Sequence, residues 1–340
     1  MKRKMYQRIV LICFIFCGSF QTCLCTDSIK NEGLKLVIDN DAGGDDAIAI
    51  FEAILYEKYF NGPKLVALTT GNGNTFEDNV VVNNQKVLKV AGRQDIPIYR
   101  GARSSLVHTP ATNAYYGVDG LGDTGENVTD LGPVQEENAI MRLIELSKMH
   151  EGRLLIVTIG TLTNIALAIK IDPQFLNRLS QLYVAAGHIH SDMHPQPEFN
   201  ALMDVEAYHI VVKNATPDKV TVVPFSQTQI FLNYTRTWRQ ETLGAIDSEV
   251  VRAMNKYEQV SLRRPGSRWQ SLDPSAVAAA IKTELVNEYK YSQNDIILCG
   301  DKRGLNTNKI VDKEHANVRM IYSMKDAEYQ QFLLDLFRRK

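Results

Sequence analysis

Short apolar, β-branched runs recur along the chain at 34–38, 65–69, 154–159, 182–186 and 220–223. Most are separated by stretches with apolar positions at helical spacing: 45–59, 76–90, 136–149, 162–170 and 204–212. Continuous apolar strands alternating with amphipathic helices predict an α/β fold, a mostly parallel central sheet with helices on both faces. After Pro224 the pattern predicts a mainly helical C-terminal part over 248–262, 274–282 and 326–339, with 294–298 and 317–322 as a late hairpin. In open sheets of this kind ligands bind outside the carboxyl ends of the strands. The polar, glycine-rich segments fall there: 39–46 after the first strand, 71–74 after the second, then 160–164 and 187–200.

Composition adds little to that picture. The 340 residues are 44% hydrophobic and 23% charged, with a formal charge of -1. Nothing in that balance predicts nucleic acid or a membrane surface as partner. The N-terminus does change the picture. Lys2, Arg3, Lys4 and Arg8 precede an apolar run at 9–16, and Cys23 and Cys25 are small residues at cleavage positions. This pattern predicts a signal peptide over 1–25, cut near Cys25, and a secreted single domain over 26–340. Cys13, Cys17, Cys23 and Cys25 leave with the leader, so Cys299 alone remains and no intrachain disulfide is expected. Sequons at Asn127, Asn214 and Asn233 become glycosylation acceptors in that setting.

The densest chemistry lies in 39–46, where Asp39, Asp41, Asp45 and Asp46 surround Gly43 and Gly44. One of the four can cap the following helix, but four carboxylates at a strand end repel one another unless a cation sits among them. The donor type predicts a hard, oxygen-ligated ion, calcium or magnesium. An EF-hand fails, because its fifth and twelfth positions hold Gly43 and Ile50. A phosphatase of the haloacid-dehalogenase type, with Asp39 as nucleophile, matches both aspartates of its motif and misses the fifth position.

The run Asp39-Asn40-Asp41-Ala42-Gly43-Gly44-Asp45-Asp46-Ala47 resembles the signature of the inosine-uridine preferring nucleoside hydrolase family. Gly71-Asn72, Gly117 to Gly122, Leu162-Thr163-Asn164-Ile165-Ala166, Glu198-Phe199-Asn200 and Asp273 continue the likeness in order. With its leader the chain is also similar to secreted salivary nucleosidases of blood-feeding insects. The resemblance implies a hydrolase that splits nucleosides into base and ribose. It implies calcium (Ca2+) held by Asp41, Asp46, Asp273 and the carbonyl of Thr163, with Asp41 as general base. It also implies that Asp45 and Asn72 place the sugar, and that the active form is a homo-oligomer. Read alone, Glu198 and Asn200 lie two apart on an extended segment and point one way, a carboxylate and an amide suited to a polyol, with Phe199 turned into packing.

Three departures shape the expected substrate. Leu272 stands where pyrimidine-accepting members carry a histidine before the last calcium aspartate, so that proton donor is missing. Purine-specific members stack the base between aromatic rings, which here draws in Trp269, Tyr115 and Tyr116. Asp192 replaces the asparagine that usually meets the 5′-hydroxyl. The expectation is therefore a purine nucleosidase acting on inosine, guanosine or adenosine. A retired hydrolase that only binds nucleosides is the rival. His188, His190 and His194 have a zinc-like spacing, and one of them could serve the leaving base.

Overall fold

The computed structural model describes residues 33–339 apart from 233, 267 and 270; the expected leader lies outside them. In chain order, β1 (Lys35–Asn40) leads into α1 (Gly44–Phe60), and β2 (Lys64–Thr70) into α2 (Glu77–Val90). The two-residue β3 (Ile98–Tyr99) is joined by a long loop to α3 (Ala139–Met149). Then come β4 (Leu154–Thr158), α4 (Thr163–Ile171), β5 (Gln181–Ala185), the short α5 (Phe199–Met203), α6 (Val205–Lys213) and β6 (Val220–Val223). The remainder holds α7 (Phe225–Phe231), α8 (Glu249–Tyr257), α9 (Leu272–Ile281), β7 (Val286–Ile296), β8 (Asn306–Ile310), β9 (Val318–Met324) and α10 (Asp326–Phe337).

Among the described residues, nine strands form one sheet in the order β3-β2-β1-β4-β5-β6-β9-β7-β8. The first six and β9 run parallel, and β7 pairs antiparallel with both β8 and β9. The expected mostly parallel sheet is present. The late hairpin differs: 294–296 ends the longer β7, whose hairpin partner is β8, while β9 is threaded between β6 and β7. β7 mixes exposed and half-buried positions with a few buried ones, so it carries none of the continuous apolar signal of the inner strands.

Those inner strands are apolar throughout because both faces are covered. Leu36 and Ile38 pack with Ile48, Phe51, Val277 and Leu333 on one face, and Val37 with Leu143, Ile156, Ile165 and Val211 on the other. Strand order runs outward in opposite directions from β1 and β4, so a crevice opens at their carboxyl ends. α9 lies against α1 and brings residues from late in the chain over that crevice.

Glu52 on α1 is an exception inside this packing. It is fully buried, and neither carboxyl oxygen has a hydrogen-bond partner among the described residues. Burial pushes its acid well above the ordinary range. Glu52→Leu is expected to stabilise the fold by about 1–3 kcal/mol at neutral pH, the scale of a buried unsatisfied polar group. The gain should grow as pH rises above the ordinary glutamate value, because the unfolded chain ionises there and the folded one resists. Urea unfolding at about pH 5 and about pH 8 checks both points. A destabilised variant at both would show that Glu52 has a partner.

Candidate active site

The segment after β1 turns sharply. Ala42 has a left-handed backbone (φ 39°), and its carbonyl accepts from Asn83 Nδ2 at 3.1 Å. α1 then starts at Gly44 with Asp46 as its cap: Oδ2 accepts from Gly43 N at 2.7 Å and Oδ1 from Asp41 N at 3.1 Å. Acidic side chains suit a helix N-terminus, where free N–H groups point outward. The glycines are there for close approach. A Cβ on Gly43 or Gly44 would fall within 3 Å of the Tyr116 ring.

One oxygen each from Asp45, Asp46 and Asp273 lie within 4.8 Å of one another, all three side chains buried. Asp273 comes from the first turn of α9, far along the chain. Asp41 adjoins them. Its Oδ2 accepts from Asn74 N at 2.8 Å and its Oδ1 from Asn74 Nδ2 at 2.9 Å, and the same Nδ2 reaches Asp46 at 3.2 Å. A Cβ on Gly73 would sit 1.8 Å from Asp41 Oδ2, so this loop admits only glycine there. Desolvation pushes Asp41 up to about 7. Desolvation also raises Asp45 to about 7; the Tyr116 hydroxyl, donating to it, opposes the rise and the Glu258 charge adds to it. Asp46 and Asp273 lie well above their usual range, from burial and then from their acidic neighbours. Buried carboxylates that repel one another while offering converging oxygens are a donor set that fits a hard divalent cation.

The converging trio contains two of the three carboxylates that the resemblance implies, Asp46 and Asp273, together with Asp45; Asp41 stands beside them with its oxygens bonded to Asn74. Thr163 opens α4, and its hydroxyl donates to Asp204 at 2.6 Å.

A cavity of about 170 Å3 opens above the carboxylates, lined by Asp45, Asn74, Tyr115, Tyr116, Glu198 and Asn200, with Phe199, Phe225, Leu272 and Asp273 among the rest. Glu198 caps α5, accepting from Asn200 N at 3.0 Å, Ala201 N at 2.9 Å and Gly187 N at 2.8 Å. Asn200 spends both amide protons on the carbonyls of Ile159 and Ala185, which leaves its Oδ1 as an acceptor. The segment is therefore helical rather than extended, and Phe199 lines the cavity instead of turning away. Asn72 is buried, with a side-chain Nδ2 that has no partner among the described residues.

Asp192 is solvent-exposed and does not line this cavity. Trp269 does not line it either; the ring is buried behind Tyr116, donating from Nε1 to Glu258 at 2.8 Å. The histidines do not form a zinc site. Asn306 N donates to His190 Nε2, so Nδ1 carries the proton and donates to the His194 carbonyl at 2.7 Å. His188 stacks between His194 and Phe225, and burial holds it neutral by lowering it to about 3. Asp39 is no nucleophile in waiting. Its carboxylate is buried and accepts from Thr69, Asn164 and Thr158, which removes the basis of the phosphatase reading.

Sequence reasoning missed Asn74, Glu258 and Arg264. Asn74 carried a signal, as the second asparagine of Gly-Asn-Gly-Asn. The Arg264 guanidinium binds the carbonyls of Tyr115, Asn113 and Ala114 and lies 5.0 Å from the Tyr115 ring centre, tying down one wall of the cavity.

Acidic groups gathered at a switch point, under an aromatic-walled cavity, define an α/β protein with a carboxylate site at the carboxyl edge of its sheet. The chain belongs to the inosine-uridine preferring nucleoside hydrolase family, whose model matches residues 36–332. It is 33% identical over 184 residues to probable uridine nucleosidase 2 of Arabidopsis thaliana, covering 52% of this chain and 55% of that one. It is 32% identical over 199 residues to the inosine-uridine preferring nucleoside hydrolase of Crithidia fasciculata, 57% and 61% of the two chains. The aligned part thus spans little more than half the length of these curated relatives. A solved plant nucleoside hydrolase superposes with a TM-score of 0.79 at 26% identity, over 91% of this chain and 100% of that one.

Proposed function

We propose that this protein is a secreted, calcium-dependent hydrolase that cleaves the N-glycosidic bond of purine nucleosides to free base and ribose. The observation that carries the reading is the convergence of Asp45, Asp46 and Asp273 beneath a cavity with both aromatic and hydroxyl-binding walls. A calcium ion held by those three carboxylates would supply positive charge that fixes vicinal sugar hydroxyls and acidifies water. Asp41, oriented by Asn74, would act as general base toward the anomeric carbon. Asn200 Oδ1 would accept from a sugar hydroxyl, and Asn72 Nδ2 is a donor without another use. Anionic groups around the ring oppose the positive charge that develops on the sugar as the bond breaks.

The base preference is carried by what lines the cavity. Tyr115, Tyr116, Phe199 and Phe225 offer faces to a flat heterocycle, and Leu272 offers no proton beside Asp273. Larger rings gain more from such walls, at about 1 kcal/mol for each stacking contact. Purified protein should release hypoxanthine from inosine at least about tenfold more efficiently than uracil from uridine. Comparable kcat/KM values for the two would refute the purine assignment, and phosphate release from nucleotides alone would refute the hydrolase reading. A binding protein that no longer turns over is disfavoured by the full set of buried acids, which holding a neutral nucleoside does not need. Export is supported by the basic and apolar N-terminus and by the exposure of Asn127 and Asn214; Asn233 lies outside the described residues.

A further inference from the structure

Behind Tyr116, on the side away from the cavity, lies a charged network that the proposed reaction does not use. Arg239 is fully buried and opens a one-turn π-helix, Arg239–Leu243, closed by Gly244 N donating to the Arg239 carbonyl at 2.7 Å. Its Nε donates to Glu258 Oε2 at 2.7 Å and its Nη1 to Asn255 Oδ1 at 2.8 Å. Asn255 in turn donates to the Gly244 carbonyl at 2.8 Å, locking the widened turn. Glu258, also buried, accepts from Trp269 Nε1 through its other oxygen. π-turns are rare and costly, and concentrate where a side chain must be placed for function.

The network reaches the site through Glu258. Its Cγ lies 3.0 Å from where a Cβ on Gly44 would stand, so it packs directly on the residue before Asp45. Glu258 and Trp269 also enclose, with Tyr115 and Tyr116, a small void behind the tyrosine pair. The Tyr116 ring in turn packs on Gly43 and Gly44, the two residues that lead into Asp45. We infer that Arg239, Glu258 and Trp269 are positioning residues: a buried ion pair and an indole brace that fix Tyr116 against Gly43–Gly44 and thereby hold Asp45 in place within the carboxylate cluster. A guanidinium suits the role, because its planar fork engages Glu258 and Asn255 together while lying 5.8 Å from the Trp269 ring centre.

This inference rests on the hydrolase reading for its kinetic arm only. Arg239→Met alone strands a buried glutamate and is expected to unfold at a lower temperature. The informative protein is Arg239→Met with Glu258→Gln, in which both charges are gone. Its Tm should return toward that of the parent, while kcat/KM on inosine stays down by about tenfold to a hundredfold, the cost of a misplaced contact. Trp269→Phe, which loses the donor to Glu258, should lower kcat/KM in the same direction and lower Tm as well. Recovery of activity together with stability in the double variant would reduce the network to an ordinary structural ion pair and overturn the inference. A crystal structure of the double variant gives a readout without turnover: Tyr116 still packed on Gly43 and Gly44 in it would also overturn the brace. If the parent hydrolyses no nucleoside, the proposed function falls and the brace is judged on that crystal structure.

Discussion

Asp41→Asn is expected to lower kcat on inosine by about a thousandfold or more, with Tm close to the parent value. The amide keeps the shape of the carboxylate and cannot take a proton from water. It also loses one acceptor, since Asp41 receives Asn74 N on one oxygen and Asn74 Nδ2 on the other. That mismatch costs about 1–3 kcal/mol. Removing a charge from a crowd of buried acids offsets it, so fold and activity should separate. Initial rates of base release and a thermal melt on the same sample test this. Activity within tenfold of the parent would remove Asp41 as the base.

Stripping divalent cations should have an equally large effect on turnover and a diagnostic effect on stability. Without a cation the buried acids resist ionisation: Asp39 sits at about 6, Asp41 and Asp45 at about 7, and Asp46 and Asp273 well above their ordinary range. Each binds its proton more tightly folded than unfolded. The stability this provides is complete below the ordinary aspartate range and is lost as pH rises through the folded values. Chelated protein should therefore melt at progressively lower temperature between about pH 5 and about pH 8. Added calcium favours the ionised forms, so it should restore both activity and Tm, most strongly at the upper end. Full turnover in thoroughly metal-free protein, or a Tm that ignores calcium at every pH, would defeat the metal proposal.

Much of this was legible in the chain, for reasons that differ by residue. Inner strands announce themselves because both their faces are dry, and Asp45 and Asp46 because a carboxylate cluster has few structural explanations; Asp273 came only through the family resemblance. β7 and β9 were harder to place, since their polar faces dilute the apolar run and their partners lie out of sequence order. Asp192 and Trp269 were placed by spacing from a motif, which cannot tell which way a loop turns. Asp192 ended in solvent and Trp269 behind the tyrosines. Glu258 left no trace at all: one acid after an amphipathic helix looks solvated until Arg239 is seen to face it.

The insertion of β9 between β6 and β7 has a consequence for how activity arises during synthesis. Asp273 and the arginine that anchors the tyrosine loop both belong to the last third of the polypeptide, and the sheet edge beyond β6 is finished only by a strand that begins at Val318. A nascent chain can pair its first six strands on emergence, yet it still lacks a charged member of the pocket and the clamp on one wall. Hydrolytic competence should thus switch on late and all at once, and no shortened product should show partial turnover.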